Sequence, residues 1–339
     1  MLAIFPANHL LFPSPAHQCH TSRPERIFVK LFVKNDSAAC LAGIPASLPP
    51  QESAMRFAIT LTDRFKVLLD IALQAGWRPL KIFTSPLDGK IHDNRQVIEQ
   101  AARLGIPLQL SPITDADLAT LAAQGCDTLL LGSYDWRVPD WRPHLAHAVN
   151  FHPSPLPEGR GPYPLVRAIL EERPEWGVSC HVVEQQFDSG AVLDQQLFAM
   201  AADETLSTLE WKCQLALEQL ARRVIPEFAT QWQQAQPQAA GSYWPRWSEA
   251  ERTLDLCGPL ASIQRQLRAF GDINCLAEAN GVGFVVHRAQ GWLEPHAFKP
   301  GTLVRSVDLS MLFAVADGFL VISEWSVQAP GVVSGRRPF

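Results

Sequence analysis

The chain has 339 residues, 47% of them hydrophobic, and a formal net charge of −5 at neutral pH. That length buries a large core and predicts two domains, or one large domain with an appendage. The weak negative charge argues against a polyanionic partner, and the lack of any run of about 20 apolar residues argues against a membrane-spanning one.

Seven cysteines are scattered without a CxxC pair, which fits reduced thiols and a cytoplasmic location. The cluster HQCH, His17 to His20, has no usual zinc spacing, so no metal is expected there. Residues 1–54 do not read as the start of a domain. Prolines interrupt MLAIFPANHLLFPSPAH and no basic region precedes its apolar stretch, which argues against a secretory signal. The expectation is a disordered segment or a misassigned start, with the first domain opening at Met55.

From Met55, strand-length apolar runs alternate with helical ones. MRFAIT (55–60) reads as a strand and FKVLLDIALQAG (65–76) as a helix closed by Gly76. PLKIFTS (79–85), a helix over 94–105 and a short extended PLQLS (107–111) follow. DADLATLAAQG (115–125) reads as a helix with Asp115 as N-cap. DTLLLGS (127–133) suits a strand covered on both faces, and HAVNFHPS (147–154) is the next strand, before a helix over 164–172. VSCHVVEQQFDSG (178–190) and AVLDQQLFAM (191–200) read as an antiparallel edge pair turning at Asp188–Gly190.

The pattern predicts an α/β fold, a doubly wound and mostly parallel sheet over 55–203. A long helix (204–232) and a Gln/Ala-rich linker bring the chain to about 240. The remainder, 241–330, with one short helix at 260–270 and turns such as NGVG and ADG, predicts a smaller β-rich, barrel-like domain, then a tail at 331–339. No GxGxxG follows the first strand, so no nicotinamide cofactor is expected.

Ligands of open α/β sheets bind beyond the carboxyl ends of the strands. Asn150 and His152 stand at such an end, and strand alternation gives them one face. Three prolines, Pro153, Pro155 and Pro157, then stiffen the loop. Taken alone, the pair reads as well as a strand cap as it does as a catalytic pair. The wider pattern Asn-x-His-x-Ser-x-Leu-Pro-x-x-Arg-Gly, with Asp-x-Gly 36 residues after the histidine, resembles the folate-dependent formyltransferases. That family includes methionyl-tRNA formyltransferase, glycinamide ribonucleotide formyltransferase, sugar-nucleotide N-formyltransferases and the hydrolase domain of formyltetrahydrofolate dehydrogenase. The likeness covers residues 55 to about 200 well, and the layout of 204–330 is similar to the appended domain of the methionyl-tRNA enzyme.

The resemblance implies 10-formyltetrahydrofolate as co-substrate and Asn150, His152 and Asp188 as catalytic residues. Asn150 and a protonated His152 would donate to the formyl oxygen as negative charge develops there, each donor being worth on the order of 3 kcal/mol. Asp188 would orient and charge the imidazole and pass a proton from the attacking amine. Gly190 would permit the turn that brings the carboxylate back. By the same resemblance Ser154, Leu156 and Pro157 shape the site, with Pro155 where the family has leucine, and Tyr134, Trp136, Arg137 and Val138 face the pterin. Arg160 and Gly161 read equally well as loop-ordering residues. Cys180 and His181 read as core.

The loop SPLDGKIHDN (85–94) is short and holds one lysine against two aspartates, where the methionyl-tRNA enzyme has a longer basic loop. Phosphate contacts carry most affinity for nucleic acid, so this chain is expected to take a small-molecule amine, such as an amino-sugar nucleotide or an amino-acid derivative, rather than tRNA. Methionyl-tRNA formylation and formyltetrahydrofolate hydrolysis are the alternatives, and oligomeric state is open.

Overall fold

The structure, a computed structural model, describes residues 54–86 and 94–327. The expectations for residues 1–53 (the HQCH cluster included), for most of the 85–94 loop and for the 331–339 tail lie outside the described residues.

Seven strands form the first sheet: β1 (Arg56–Thr60), β2 (Arg78–Phe83), β3 (Leu108–Gln109), β4 (Thr128–Leu131), β5 (His147–His152), β6 (Glu175–Val182) and β7 (Val192–Ala199). Their order is β3-β2-β1-β4-β5-β6-β7. The first five strands run parallel, while β6 is antiparallel to β5, and β7 to β6. The chain winds outward from β1 to β3, then returns to lay β4 on the other side of β1, so the strand order switches there.

Helices α1 (Val67–Gln74), α2 (Arg95–Leu104), α3 (Asp115–Ala123) and α4 (Pro164–Leu170) connect these strands. Alternation along each strand divides the core in two. Phe57, Ile59, Leu130, Val149 and Phe151 pack with α1, α2 and α4, whereas Ala58, Leu129, Leu131 and Ala148 pack with Leu118 and Leu121 of α3 and with Trp141. Burying a side chain the size of the 1%-exposed Phe151 stabilises by about 1.5–3 kcal/mol.

Three boundaries differ from expectation. Thr114, not Asp115, caps α3: its side chain accepts from the Asp117 N–H while Asp117 accepts from the Thr114 N–H. The predicted helix over 204–232 is two, α5 (Leu206–Val224) and α6 (Phe228–Gln233), because Pro226 lacks an N–H and its ring crowds the preceding turn. The left-handed residue of the 188–190 turn is Asp188, with φ of 56°, not Gly190. Gly190 is needed for space, since a Cβ would stand 2.0 Å from the Val182 carbonyl oxygen.

Beyond α6 a short helix α7 (Glu249–Arg252) and α8 (Leu260–Phe270) precede an antiparallel sheet of β8 (Cys275–Ala279), β9 (Val282–Leu293), β10 (Leu303–Val307), β11 (Ser310–Ala314) and β12 (Gly318–Val327). Its order is β10-β11-β12-β9-β8, and β9 and β12, at 12 and 10 residues, are long strands. Both faces of α8 are used. It packs on α4, with Arg265 donating to the Leu170 carbonyl, and on β9 and β12, so buried apolar contact runs unbroken from Val166 through Ile263 to Phe284 and Phe313. Among the described residues no helix is long and apolar enough to cross a membrane.

Candidate active site

Ala148, Asn150 and His152 share the α3-side face of β5, while Val149 and Phe151 fill the opposite core. Across the antiparallel ladder Asn150 faces His181 and His152 faces Ser179. The polar face of β5 therefore meets a polar face of β6, which is legible in VSCHVV as Ser179 and His181 at period two. Cys180, on the other face and fully buried, is core, and burial pushes its thiol well above the usual range.

Asp188 closes the arrangement from the loop between β6 and β7. Its Oδ1 accepts from Asn150 Nδ2 at 3.3 Å and lies 3.6 Å from His152 Nδ1 and 3.5 Å from His181 Nε2. Its Oδ2 accepts from the Gly161 backbone N–H at 2.8 Å. Burial opposes ionisation, but the charge of His152 when that ring is protonated, contact with the His181 ring and the Gly161 N–H more than offset it, holding the carboxyl well below the ordinary range.

His152 departs from expectation. Burial pushes its imidazolium below the ordinary 6.5; Asp188 and the Gly159 carbonyl act against that shift and His181 acts with it. The ring is therefore neutral at neutral pH, not protonated. Nε2 stands 2.9 Å from the Gly159 carbonyl, which can only accept, so Nε2 carries the hydrogen. Nδ1 is left as a free base, at 3.6 Å too far from Asp188 for a hydrogen bond. A proton arriving on Nδ1 would give an imidazolium with the Gly159 carbonyl bonded at Nε2 and the Asp188 carboxylate 3.6 Å from Nδ1.

The structure also adds His181, which is 1% exposed. Its Nδ1 lies 2.8 Å from the Val182 carbonyl and so donates, leaving Nε2 to accept from Asn150 Nδ2 at 3.2 Å. Both Asn150 amide hydrogens are thus engaged, one by His181 and one by Asp188. A ligand oxygen can take up an Asn150 hydrogen only by displacing one of these partners.

The residues predicted to shape the site form a braced loop. Ser154 and Leu156 are buried, and Ser179 Oγ bridges them, donating to the Ser154 carbonyl at 2.6 Å and accepting from the Leu156 N–H at 3.0 Å. Gln195 Nε2 donates to both the Leu156 carbonyl and Ser179 Oγ. The Leu156–Pro157 peptide is cis. Gly161, with φ of 102°, has no room for a Cβ, which would stand 2.5 Å from the Trp244 carbonyl oxygen. Arg160 is a loop-ordering residue that donates to Gln238 and to the Ala239 carbonyl.

Of the segment expected at the pterin, Tyr134 accepts from the Ile113 N–H at 2.6 Å and packs edge-on to Trp136. Burial pushes its phenol up to about 12. Val138 packs in the α3-side core. Arg137 spans to the facing loop, donating to the Gln185 carbonyl and stacking over Phe187. A cavity of about 690 Å³ opens along that loop, lined by Asp140, Arg142, Glu184, Gln186, Ser189 and Gln238 among others.

Residues 142–225, which contain Asn150, His152, His181 and Asp188, match the family model described as Formyl transferase. Over that segment, about a quarter of the chain, the sequence is similar to formyltransferases. Curated relatives include the methionyl-tRNA formyltransferases of Thiobacillus denitrificans, 29% identical over 65% of this chain and 71% of that protein, and of Paraburkholderia phymatum, 26% identical over 77% and 80%. Among solved structures, the N-formyltransferase of Helicobacter canadensis in complex with folinic acid and dTDP-3-aminofucose aligns with a TM-score of 0.60 at 17% identity, over 81% of this chain and all of that one. HypX from Aquifex aeolicus in complex with tetrahydrofolic acid aligns with a TM-score of 0.59 at 17% identity over 80% of this chain. This chain spans less than half of HypX, 44% of its length. At these identities the structural likeness is one of fold.

Proposed function

We propose that the chain transfers the formyl group of 10-formyltetrahydrofolate to a primary amine of a small acceptor. The observation that carries this reading is the convergence of Asn150, neutral His152 and ionised Asp188 at the end of β5, inside the segment that matches the family. The amine attacks the formyl carbon, and the carbonyl electrons move to its oxygen. Asn150, exchanging its bond to Asp188 or His181, donates to that oxygen, worth about 3 kcal/mol in the transition state. His152 Nδ1 takes the proton lost by the attacking nitrogen, and Asp188 stabilises the imidazolium formed. The same proton passes to N10 as the carbon–nitrogen bond breaks, leaving a formamide and tetrahydrofolate. Tyr134, Trp136, Arg137 and Val138 on one side, and the loop of Ser154, Leu156, Pro157 and Gly190 on the other, are the proposed folate-side walls.

The short, nearly neutral 85–94 loop and a linker poor in positive charge favour a small acceptor. The methionyl-tRNA formyltransferases among the relatives favour the second reading, tRNA formylation. One experiment addresses both. The protein is incubated with 10-formyltetrahydrofolate and either a panel of amines, amino-sugar nucleotides included, or initiator methionyl-tRNA at near-physiological salt. A mass gain of one formyl group on a small amine supports the first reading, and efficient turnover of the tRNA overturns it. Formate release without any acceptor, at the same rate as with one, would instead indicate hydrolysis.

A further inference from the structure

We propose that Gln238, in the segment between α6 and α7, is a positioning residue that sets where the Asp188 carboxylate stands; the proposal rests on the formyl-transfer reading of the site. Asp188 belongs to no strand. It sits in the loop 183–191, and nothing in the sheet ladder fixes its backbone. Gln238 Nε2 donates to the Asp188 carbonyl at 2.9 Å and to the Gly190 carbonyl at 2.7 Å. Its Oε1 accepts from Arg160 Nε at 2.9 Å. Arg160 precedes Gly161, whose N–H holds Asp188 Oδ2 at 2.8 Å. These bonds make a closed circuit from Gln238 to Arg160, Gly161, Asp188 and back.

The segment that bears Gln238 is itself anchored on both sides. Gln236 and Val192 exchange two backbone hydrogen bonds of 2.8 Å, and Arg160 exchanges two with Ser242 and Trp244, at 3.1 and 2.7 Å. Gly241 lies so close to Pro157 that a Cβ would stand 2.0 Å from its carbonyl oxygen. The chain beyond α6 is thus a wall of the site rather than a spacer. A primary amide suits the position because the circuit needs two donors and one acceptor from a single side chain. Glutamate supplies only the acceptor, and leucine supplies neither. Asp188 is set 3.3 Å from Asn150 and 3.6 Å from His152, where a shift of about 1 Å can cost on the order of a hundredfold in rate.

The test uses Gln238→Leu and Gln238→Glu in the full chain. Both are expected to lower kcat by about tenfold or more, with KM for 10-formyltetrahydrofolate changing by less than about threefold and the melting temperature close to that of the parent. A glutamate variant as active as the parent would show that only the anchor for Arg160 matters and would overturn the proposal. A second readout does not depend on turnover. The groups facing Asp188 are His152 and His181, so their imidazole resonances, followed against pH, report its position. Gln238→Leu is expected to move the His152 titration further below 6.5, because Asp188 no longer stands beside it to favour the charged ring. An unchanged titration sinks the idea. Absence of any formyl transfer by the parent protein refutes the reaction, while the titration still decides the positioning.

Discussion

Asn150 and His181 face each other across the β5–β6 ladder, with Asn150 Nδ2 3.2 Å from His181 Nε2. Through this contact a histidine with no proposed contact to the reacting atoms determines which way a neighbouring amide points. The histidine donates its other nitrogen to its own strand's Val182 carbonyl, so its tautomer is set by the backbone.

Substituting Asn150 by Ala removes the proposed donor to the formyl oxygen. A fall in kcat of about 10² to 10³ is expected, with little change in KM for the folate. Steady-state kinetics of the variant check this, and a loss of less than about threefold would remove Asn150 from the reaction.

His181→Phe keeps a ring in the buried position and deletes the acceptor. Asn150 then lacks one of its two partners and can rotate. A fall in kcat of about tenfold is expected, smaller than that of Asn150→Ala, with partial recovery in His181→Gln, which restores an acceptor. Recovery no better than in the phenylalanine variant would mean that the ring serves only as filling.

Stability is expected to fall with acid. The folded pKa of His152 lies below 6.5, so just under that pH the unfolded chain binds the proton that the folded chain refuses. The contribution is complete above 6.5 and is lost as pH falls towards the folded value. Asp188 adds a loss of the same sign at lower pH, beginning near its unfolded value of 3.8. Urea midpoints between about pH 7 and pH 5 should decline, and decline less in His152→Gln. A residual slope is expected in that variant, since burial also lowers the pKa of His147.

Two glycines with similar backbone angles should respond differently to alanine. At Gly76, with φ of 81°, nothing lies within 4 Å of a new Cβ, so the cost is the left-handed backbone alone, about 1–2 kcal/mol. At Gly161 the same penalty joins a clash with the Trp244 carbonyl and a displaced N–H to Asp188. Gly161→Ala should therefore lose more stability than Gly76→Ala in chemical denaturation, and should alone abolish turnover.

The β/α alternation, the edge pair of β6 and β7 and the placement of Asn150 and His152 on one face were legible because they follow from periodicities of a few residues. Pro226 was an equally local signal, and the expectation of one long helix passed over it. The capping of α3 by Thr114 rests on a Thr-x-x-Asp spacing that reading Asp115 as the cap left out.

What the sequence alone determined is the class of the fold and the three side chains that its motif singles out, since hydrophobic period and residue spacing are local properties of a chain. Only the tertiary structure decided how those side chains behave. The neutral state of His152 comes from desolvation by the surrounding core, and the ionised Asp188 is held by the Gly161 N–H, 27 residues away. The wall built by Gln238 joins groups up to 78 residues apart. Electrostatic environment and loop position are set by neighbours in space, and no pattern read along the chain contains them.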